Sequence, residues 1–178
     1  MAFNVNTIRS QLQVGGDLAR QNLFEVTLNN PADSSGDARL RFVAQSAQLP
    51  SSDLGIIEVP YFGRRIKLAG DRVFAPWQIT IINDEDFRIR NAMEQWSNQI
   101  NALERNVRDL ANYKTDGNVT QFAKNGDAIR EYKFTGIFPT EVSAIELDWG
   151  ATDTYETFTV TFQYDWWTVS GRTGTIRG

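Results

Sequence analysis

Apolar and polar residues alternate one for one from Thr157 to Trp167, with Phe158, Val160, Phe162, Tyr164 and Trp166 set against Thr157, Thr159, Thr161, Gln163 and Asp165. Successive side chains of a strand point to opposite faces, so this period predicts a strand with one buried and one polar face. Phe24, Val26 and Leu28 alternate in the same way with Glu25, Thr27 and Asn29, and Trp77, Ile79 and Ile81 with Gln78 and Thr80. Half-buried strands of this kind belong to antiparallel sheets. Weaker strand patterns cover Arg39 to Ala44, Ile56 to Tyr61, Arg64 to Ala69, Ile129 to Gly136 and Ala144 to Trp149. Tyr61, Phe62 and Gly63 predict a hairpin turn, with Gly63 free to take a positive backbone angle.

One segment follows a different period. Ile89, Met93, Trp96, Ile100, Leu103, Val107 and Leu110 recur at steps of four and three, which places them on one face of an amphipathic helix. Asn83, Asp84, Glu85 and Asp86 supply side chains that can cap its free amides, and acids suit the positive end of the helix dipole. The predicted helix runs from Asp84 to Leu110, ends between Glu104 and Asn112, and packs its apolar stripe on a sheet. A short helix is expected near Thr7 to Val14. Asn112 to Asp127, with Asp116-Gly117 and Asn125-Gly126, predicts a polar loop, and Asn30 to Asp37 and Ser170 to Gly178 predict loose segments. Altogether these patterns predict a mainly β fold, a β-sandwich or partly closed barrel of antiparallel strands, with one long flanking α-helix.

Composition narrows the function. At 178 residues and 41% hydrophobic, the chain suits a single domain over 1–178, with a flexible C-terminal tail over 168–178. No apolar run approaches a membrane span, and MAFNVNTIRSQ lacks the layout of a secretory signal, so a soluble protein made in a cytoplasm is expected, without membrane insertion. Cysteine and histidine are both missing, which excludes thiolate chemistry, disulfides and Ser-His-Asp or Cys-His catalysis. The net charge of -4 argues against adhesive binding to nucleic acid. No cofactor or metal site is expected.

Several ordered blocks carry a family resemblance. Asn22-Leu23-Phe24-Glu25-Val26 comes first, followed by Phe62-Gly63-Arg64-Arg65-Ile66-Lys67-Leu68-Ala69-Gly70-Asp71-Arg72, then Trp77 and Asn83-Asp84-Glu85. Gly136-Ile137-Phe138-Pro139-Thr140-Glu141-Val142, Glu146-Leu147-Asp148-Trp149 and Glu156-Thr157-Phe158-Thr159-Val160-Thr161 complete the series. In these blocks, from about Asp17 to Trp167, the chain resembles the tail tube proteins of contractile-tailed bacteriophages. The resemblance implies six-membered rings whose strands line a channel, stacked into a tube inside a contractile sheath. It also implies tail sheath, baseplate and tail terminator proteins as partners, DNA passing through the lumen without specific binding, and a place in the virion tail.

The residues themselves supply candidate contacts. The hairpin from Ile56 to Ala69 has aliphatic residues on both faces of its first strand, Ile56 and Ile57, and basic residues on and beyond its second. Exposed strand edges seek partners in another chain unless they are blunted, so Ile56, Ile57, Glu58, Arg64, Arg65, Lys67 and Arg72 are candidate interface residues. From Glu141 to Asp165 there are six acids and no lysine or arginine. Within that stretch Glu146, Asp148, Asp153 and Glu156 are the candidate counterparts, because complementary charge selects register between subunits. The plain alternative for both segments is a solvated surface on a monomer. At Tyr164-Asp165-Trp166-Trp167 an alternating strand exposes at least one large ring.

Rival readings are few. An acid-only enzyme could be built from Asp84, Glu85, Asp86 and Asp148, but acids at a helix start are ordinarily caps. Gly15-Gly16-Asp17 lacks the lysine of a phosphate-binding loop. A carbohydrate-binding sandwich could use exposed tryptophans. Nearer alternatives are the tube protein of a related contractile injection or secretion system, and a tube initiator or terminator.

Overall fold

A computed structural model describes residues 4–12, 18–102 and 112–171. In chain order the elements are α1 (Val5–Leu12), β1 (Phe24–Leu28), a 3-10 turn (Ser34–Gly36), α2 (Asp37–Val43), β2 (Ala44–Ala47), β3 (Ser52–Tyr61) and β4 (Arg64–Phe74). There follow β5 (Trp77–Ile82), α3 (Arg88–Ile100), β6 (Thr115–Phe122), β7 (Ala128–Val142), β8 (Thr157–Gln163) and β9 (Trp166–Gly171). Seven strands make one antiparallel sheet in the order β1-β6-β7-β8-β5-β2, with β9 also on β7. The strands at the two ends of that order, β1 and β2, approach each other. The result is a partly closed antiparallel barrel, in line with the mainly β class expected.

The corner of this barrel is set by a shared change of phase in two strands. The first half of β7 lies between β6 and β9, and its second half pairs with β8. Phe134 on the first half and Ile137 on the second are both buried, an odd spacing that a straight strand would place on opposite faces. Gly136 between them takes φ +70, a left-handed conformation open to glycine at little cost. Across from it the Asp165 amide donates to the Thr135 carbonyl at 3.0 Å, and Lys114 Nζ holds the Asp165 carboxylate at 2.7 Å.

The predicted strand Thr157 to Trp167 is therefore interrupted at Tyr164 and Asp165. Its alternation holds through Phe158, Val160, Phe162 and Tyr164 and then shifts by one, so Trp166 is half exposed while Trp167 packs against Tyr132. β9 also takes in Thr168–Gly171, the first part of the expected tail; 172–178 lie outside the described residues.

Aromatic rings fill the space between the two halves of the sheet. Trp77 stacks on Phe134 with centroids 4.4 Å apart, and Phe162 lies 5.6 Å from Trp77 and 6.1 Å from Trp96. Around them pack Val26, Leu28, Ile79, Ile81, Val119 and Val160, all essentially inaccessible to solvent. Helix α3 buries Ile89, Ala92, Met93 and Trp96 against this core, as its apolar stripe predicts. It is shorter than expected. Its first residue is Arg88, after Phe87 in a left-handed conformation, and Asn101 is already extended. Asp84 acts from just upstream, its Oδ1 accepting the Arg88 amide at 3.2 Å. Leu103, Val107 and Leu110 lie outside the described residues.

Four further expectations are corrected. Arg39 to Ala44 is mostly helix rather than strand: α2 buries Leu40 and leaves Phe42 exposed. Ala144 to Trp149 contains no strand. The expected loop from Asn112 to Asp127 contains β6, in which Gly117 serves packing rather than a turn, because a Cβ there would press on Leu28. Asn125-Gly126 does make the turn that follows. Asn30 to Asp37 is not loose either. Buried Asn30 donates to the Ala92 carbonyl of α3 at 3.0 Å, accepts from the Ala32 amide, and gives its own amide to Asp37.

Replacing Gly136 by Ala puts a Cβ against the Asp165 carboxylate and imposes a left-handed conformation on a residue with a side chain. The variant is expected to lose about 2 kcal/mol or more of stability, measured by urea unfolding.

Candidate assembly surfaces

Strands β3 and β4 form a second, two-stranded sheet that packs substantially against no other described element. An isolated hairpin of this kind is at best marginally stable in water. Its tip is a two-residue turn in which both Phe62, φ 42, and Gly63, φ 78, are left-handed, the geometry that matches strand twist. Phe62 lies open at the tip with its ring edge-on to Tyr61. The cross-strand pairs Ile57–Leu68, Val59–Ile66 and Tyr61–Arg64 share one face, whereas Ile56–Ala69, Glu58–Lys67 and Pro60–Arg65 share the other. Beyond the irregularity at Gly55 and Gly70, Arg72 stands opposite Leu54. Ten strand residues reach about 33 Å, so the arm extends well clear of the barrel.

Both roots of this arm are held by one residue. Trp77, directly after the hairpin, donates its indole N–H to the Gln48 carbonyl, directly before it, at 2.7 Å. Phe74 at the end of β4 rests on Tyr164, whose buried phenol has its ionisation pushed upward by desolvation. The arm is thus fixed at its base and unsupported along its length.

The candidate residues fall into distinct environments. Ile56, Ile57, Glu58, Arg64, Arg65, Lys67 and Arg72 are all exposed. Glu58 is occupied within the hairpin by Arg65 at 2.8 Å and Lys67 at 4.0 Å, whereas Arg64 stands on the opposite, apolar face. In the acidic stretch, Glu156 is half-buried and accepts from Asn83 Nδ2 at 2.8 Å. Glu146, Asp148 and Asp153 are exposed, with Asp148 accepting the Gly150 amide at 2.9 Å. Among the described residues no ion pair joins the hairpin to an acid of this stretch within one chain. Asp84, the centre of the acid-only enzyme reading, faces Arg39 at 3.1 Å.

A third feature escaped the hydropathy pattern. The loop over 143–156 carries Leu147, Trp149 and Tyr155 in solvent, with Trp149 103% exposed. Expecting a strand from Ala144 to Trp149 hid it. The local signal was Asp148-Trp149-Gly150, an aspartate two residues before a glycine, which favours a turn.

The described chain is thus a barrel with a projecting, two-faced arm, and comparison with known proteins places its fold. The fold is similar to a chain in the anti-feeding prophage tube-terminating cap, with TM-score 0.65 and 19% identity over 87% of this chain and 92% of that one. It is similar to a chain in the sheath–tube complex of an extracellular contractile injection system, with TM-score 0.62 and 15% identity over 92% and 97%. An Hcp protein gives TM-score 0.52 at 12% identity over 88% and 97%. These likenesses define the fold, one that this chain shares with chains of contractile injection assemblies.

Sequence comparison is more specific. The phage tail tube protein family matches residues 17–170. Tail tube protein gp19 of Enterobacteria phage T4 is 30% identical over 155 residues, 85% of this chain and 92% of that protein. The tail tube protein of Serratia phage KSP90 is 32% identical over 166 residues, 90% and 93% respectively. The chain belongs to the phage tail tube protein family, a structural family and not an enzyme family.

Because Trp77 joins the two roots of the arm through one hydrogen bond, Trp77→Phe should keep the ring packing and strand the Gln48 carbonyl. We expect a loss of about 1–2 kcal/mol in urea unfolding, with faster amide exchange in β3 and β4 than in β6 and β7.

Proposed function

We propose that this tube subunit assembles as six-membered rings stacked into a hollow tube, inside a contractile sheath, through which DNA leaves the capsid. The observation that carries the reading is the β3–β4 arm. Its apolar residues on the Ile57 face are exposed in the lone chain, and a surface of that kind on a well-packed domain marks an interaction site. A neighbouring copy would cover it and pair its open strand edges.

Charge supports the channel. Along β5 and β8 the outward positions are Gln78, Thr80, Ile82, Thr157, Thr159, Thr161 and Gln163, an uncharged surface of mostly hydroxyl and amide groups beside the root of the arm. A wall without cations releases no counterions from a passing duplex and so offers it no electrostatic hold. Sheath, baseplate and terminator proteins are the partners this role calls for, with assembly in the host cytoplasm and a final place in the virion tail.

Complementary charge between the basic arm and the acidic stretch is the proposed orienting force between subunits. The wild-type protein should form long hollow tubes in negative-stain images, and the double variant Arg64→Glu/Arg65→Glu should stay folded by circular dichroism and form none. Tubes of normal length from the variant would remove the charge pairing from the proposal. Wild-type rings that never stack would instead indicate a tube initiator or terminator.

A further inference from the structure

We propose that the loop from Ser143 to Glu156 is a preformed knob whose Leu147 and Trp149 dock on the apolar face of the hairpin of a neighbouring copy. This deepens the assembly reading above and rests on it.

The knob is held in place before it meets anything. At one end the Ser143 amide donates to the Thr159 carbonyl, and the Ser143 carbonyl accepts from Arg90. At the other end the Asn83 amide donates to the Glu156 carbonyl at 2.9 Å, and Gln45 donates to the Tyr155 hydroxyl at 2.9 Å. Between them Asp148 folds the crest, taking the Gly150 amide on its side chain and the Ala151 amide on its carbonyl. Trp149 stands on that crest and Leu147 beside it, 103% and 79% exposed. A loop with both ends tied gives up little conformational entropy on docking, and tryptophan is among the residues that dominate interface energies.

The hairpin face fits this knob in both shape class and charge. Ile57, Val59, Ile66 and Leu68 form an apolar strip that continues at the tip into Tyr61 and Arg64. Arg64 is the cation on that face, and among the described residues it makes no ion pair. The knob presents its two apolar side chains with Glu146 and Asp148 alongside and no basic residue from Glu141 to Asp165. Arg65 and Lys67 face the other way and share Glu58, at 2.8 and 4.0 Å, whereas Arg64 has no acid on its own face. Knob and strip are different surfaces of one chain and do not meet within it, so their contact is head-to-tail. Contacts of that kind propagate, closing into a ring or running on as a helix.

The native lack of cysteine makes the test clean. Equimolar mixtures of singly substituted chains are assembled, oxidised and run on non-reducing gels. Leu147→Cys mixed with Ile66→Cys or Val59→Cys should give a disulfide-linked dimer. Leu147→Cys mixed with Lys67→Cys, on the opposite face, should not. Trp149→Ala, a change at a fully exposed site, should melt as wild type while raising the concentration needed for polymerisation by about tenfold or more. Arg65→Glu alone should shift that threshold far less than Arg64→Glu alone. The proposal is overturned if tubes form but Leu147→Cys couples to neither apolar position, or if Trp149→Ala assembles at the wild-type threshold. If wild-type protein forms only rings or dimers, the same cross-links read in those species decide it. A wild-type protein that remains monomeric at every concentration overturns both this contact and the assembly reading.

Discussion

The indole of Trp77 is the point on which the rest of the molecule turns. Its ring stacks on Phe134 and lies near Phe162, joining the two halves of the bent sheet, and its N–H holds the Gln48 carbonyl across the base of the hairpin. One side chain thus closes the barrel and aims the arm. A buried tryptophan contributes a large apolar surface, and its single donor must find an acceptor, which here lies on the far side of the arm. The geometry of whatever the arm meets is inherited from that one contact.

Two regimes of stability follow. The barrel has a core of its own, and Asn30 ties the first loop to α3 across it, while among the described residues the Tyr164 hydroxyl and the Trp167 indole N–H are buried without a hydrogen-bond partner. The arm has no core, and its cross-strand pairs are each worth only a fraction of a kcal/mol to about 1 kcal/mol. Its order in an assembly is inseparable from the presence of neighbours, since anything that binds the folded arm stabilises it by mass action. Leaving apolar residues in solvent is costly for a monomer, and the chain concentrates that cost in the arm and in the loop over 143–156. The charges divide along similar lines, with Glu58 pairing Arg65 on one face of the arm while Arg64 stands on the other.

Where local pattern and local structure agreed, burial on one face decided both. β1, β5 and the buried stripe of α3 are legible because a single side of each meets the core. The misreadings arose where a distant contact took over. Leu40, Phe42 and Ala44 alternate like a strand, yet Leu40 is buried from a helical turn packed beside β1 and α3, and Phe42 on the same turn stands in solvent. Asp116-Gly117 has the composition of a turn, yet Gly117 leaves room for Leu28 from a strand nearly ninety residues earlier in the chain. The alternation after Thr157 continues through Trp166 in the sequence, but the shared corner with β7 shifts its phase and turns that ring outward.

By itself the sequence determined the antiparallel β class, the apolar face of the helix, the hairpin with its glycine turn, the lack of cysteine and histidine chemistry, and the resemblance that the family match supports. All of these depend on period, residue type or ordered blocks, which are properties of the chain read along its length. Only the tertiary structure decided that the hairpin stands off the barrel, that Arg65 is already paired on its face while Arg64 is not, and that Trp149 is carried on a fixed crest. Those outcomes depend on strand register and on which faces find a partner within the same chain, and contacts between residues far apart in sequence set both.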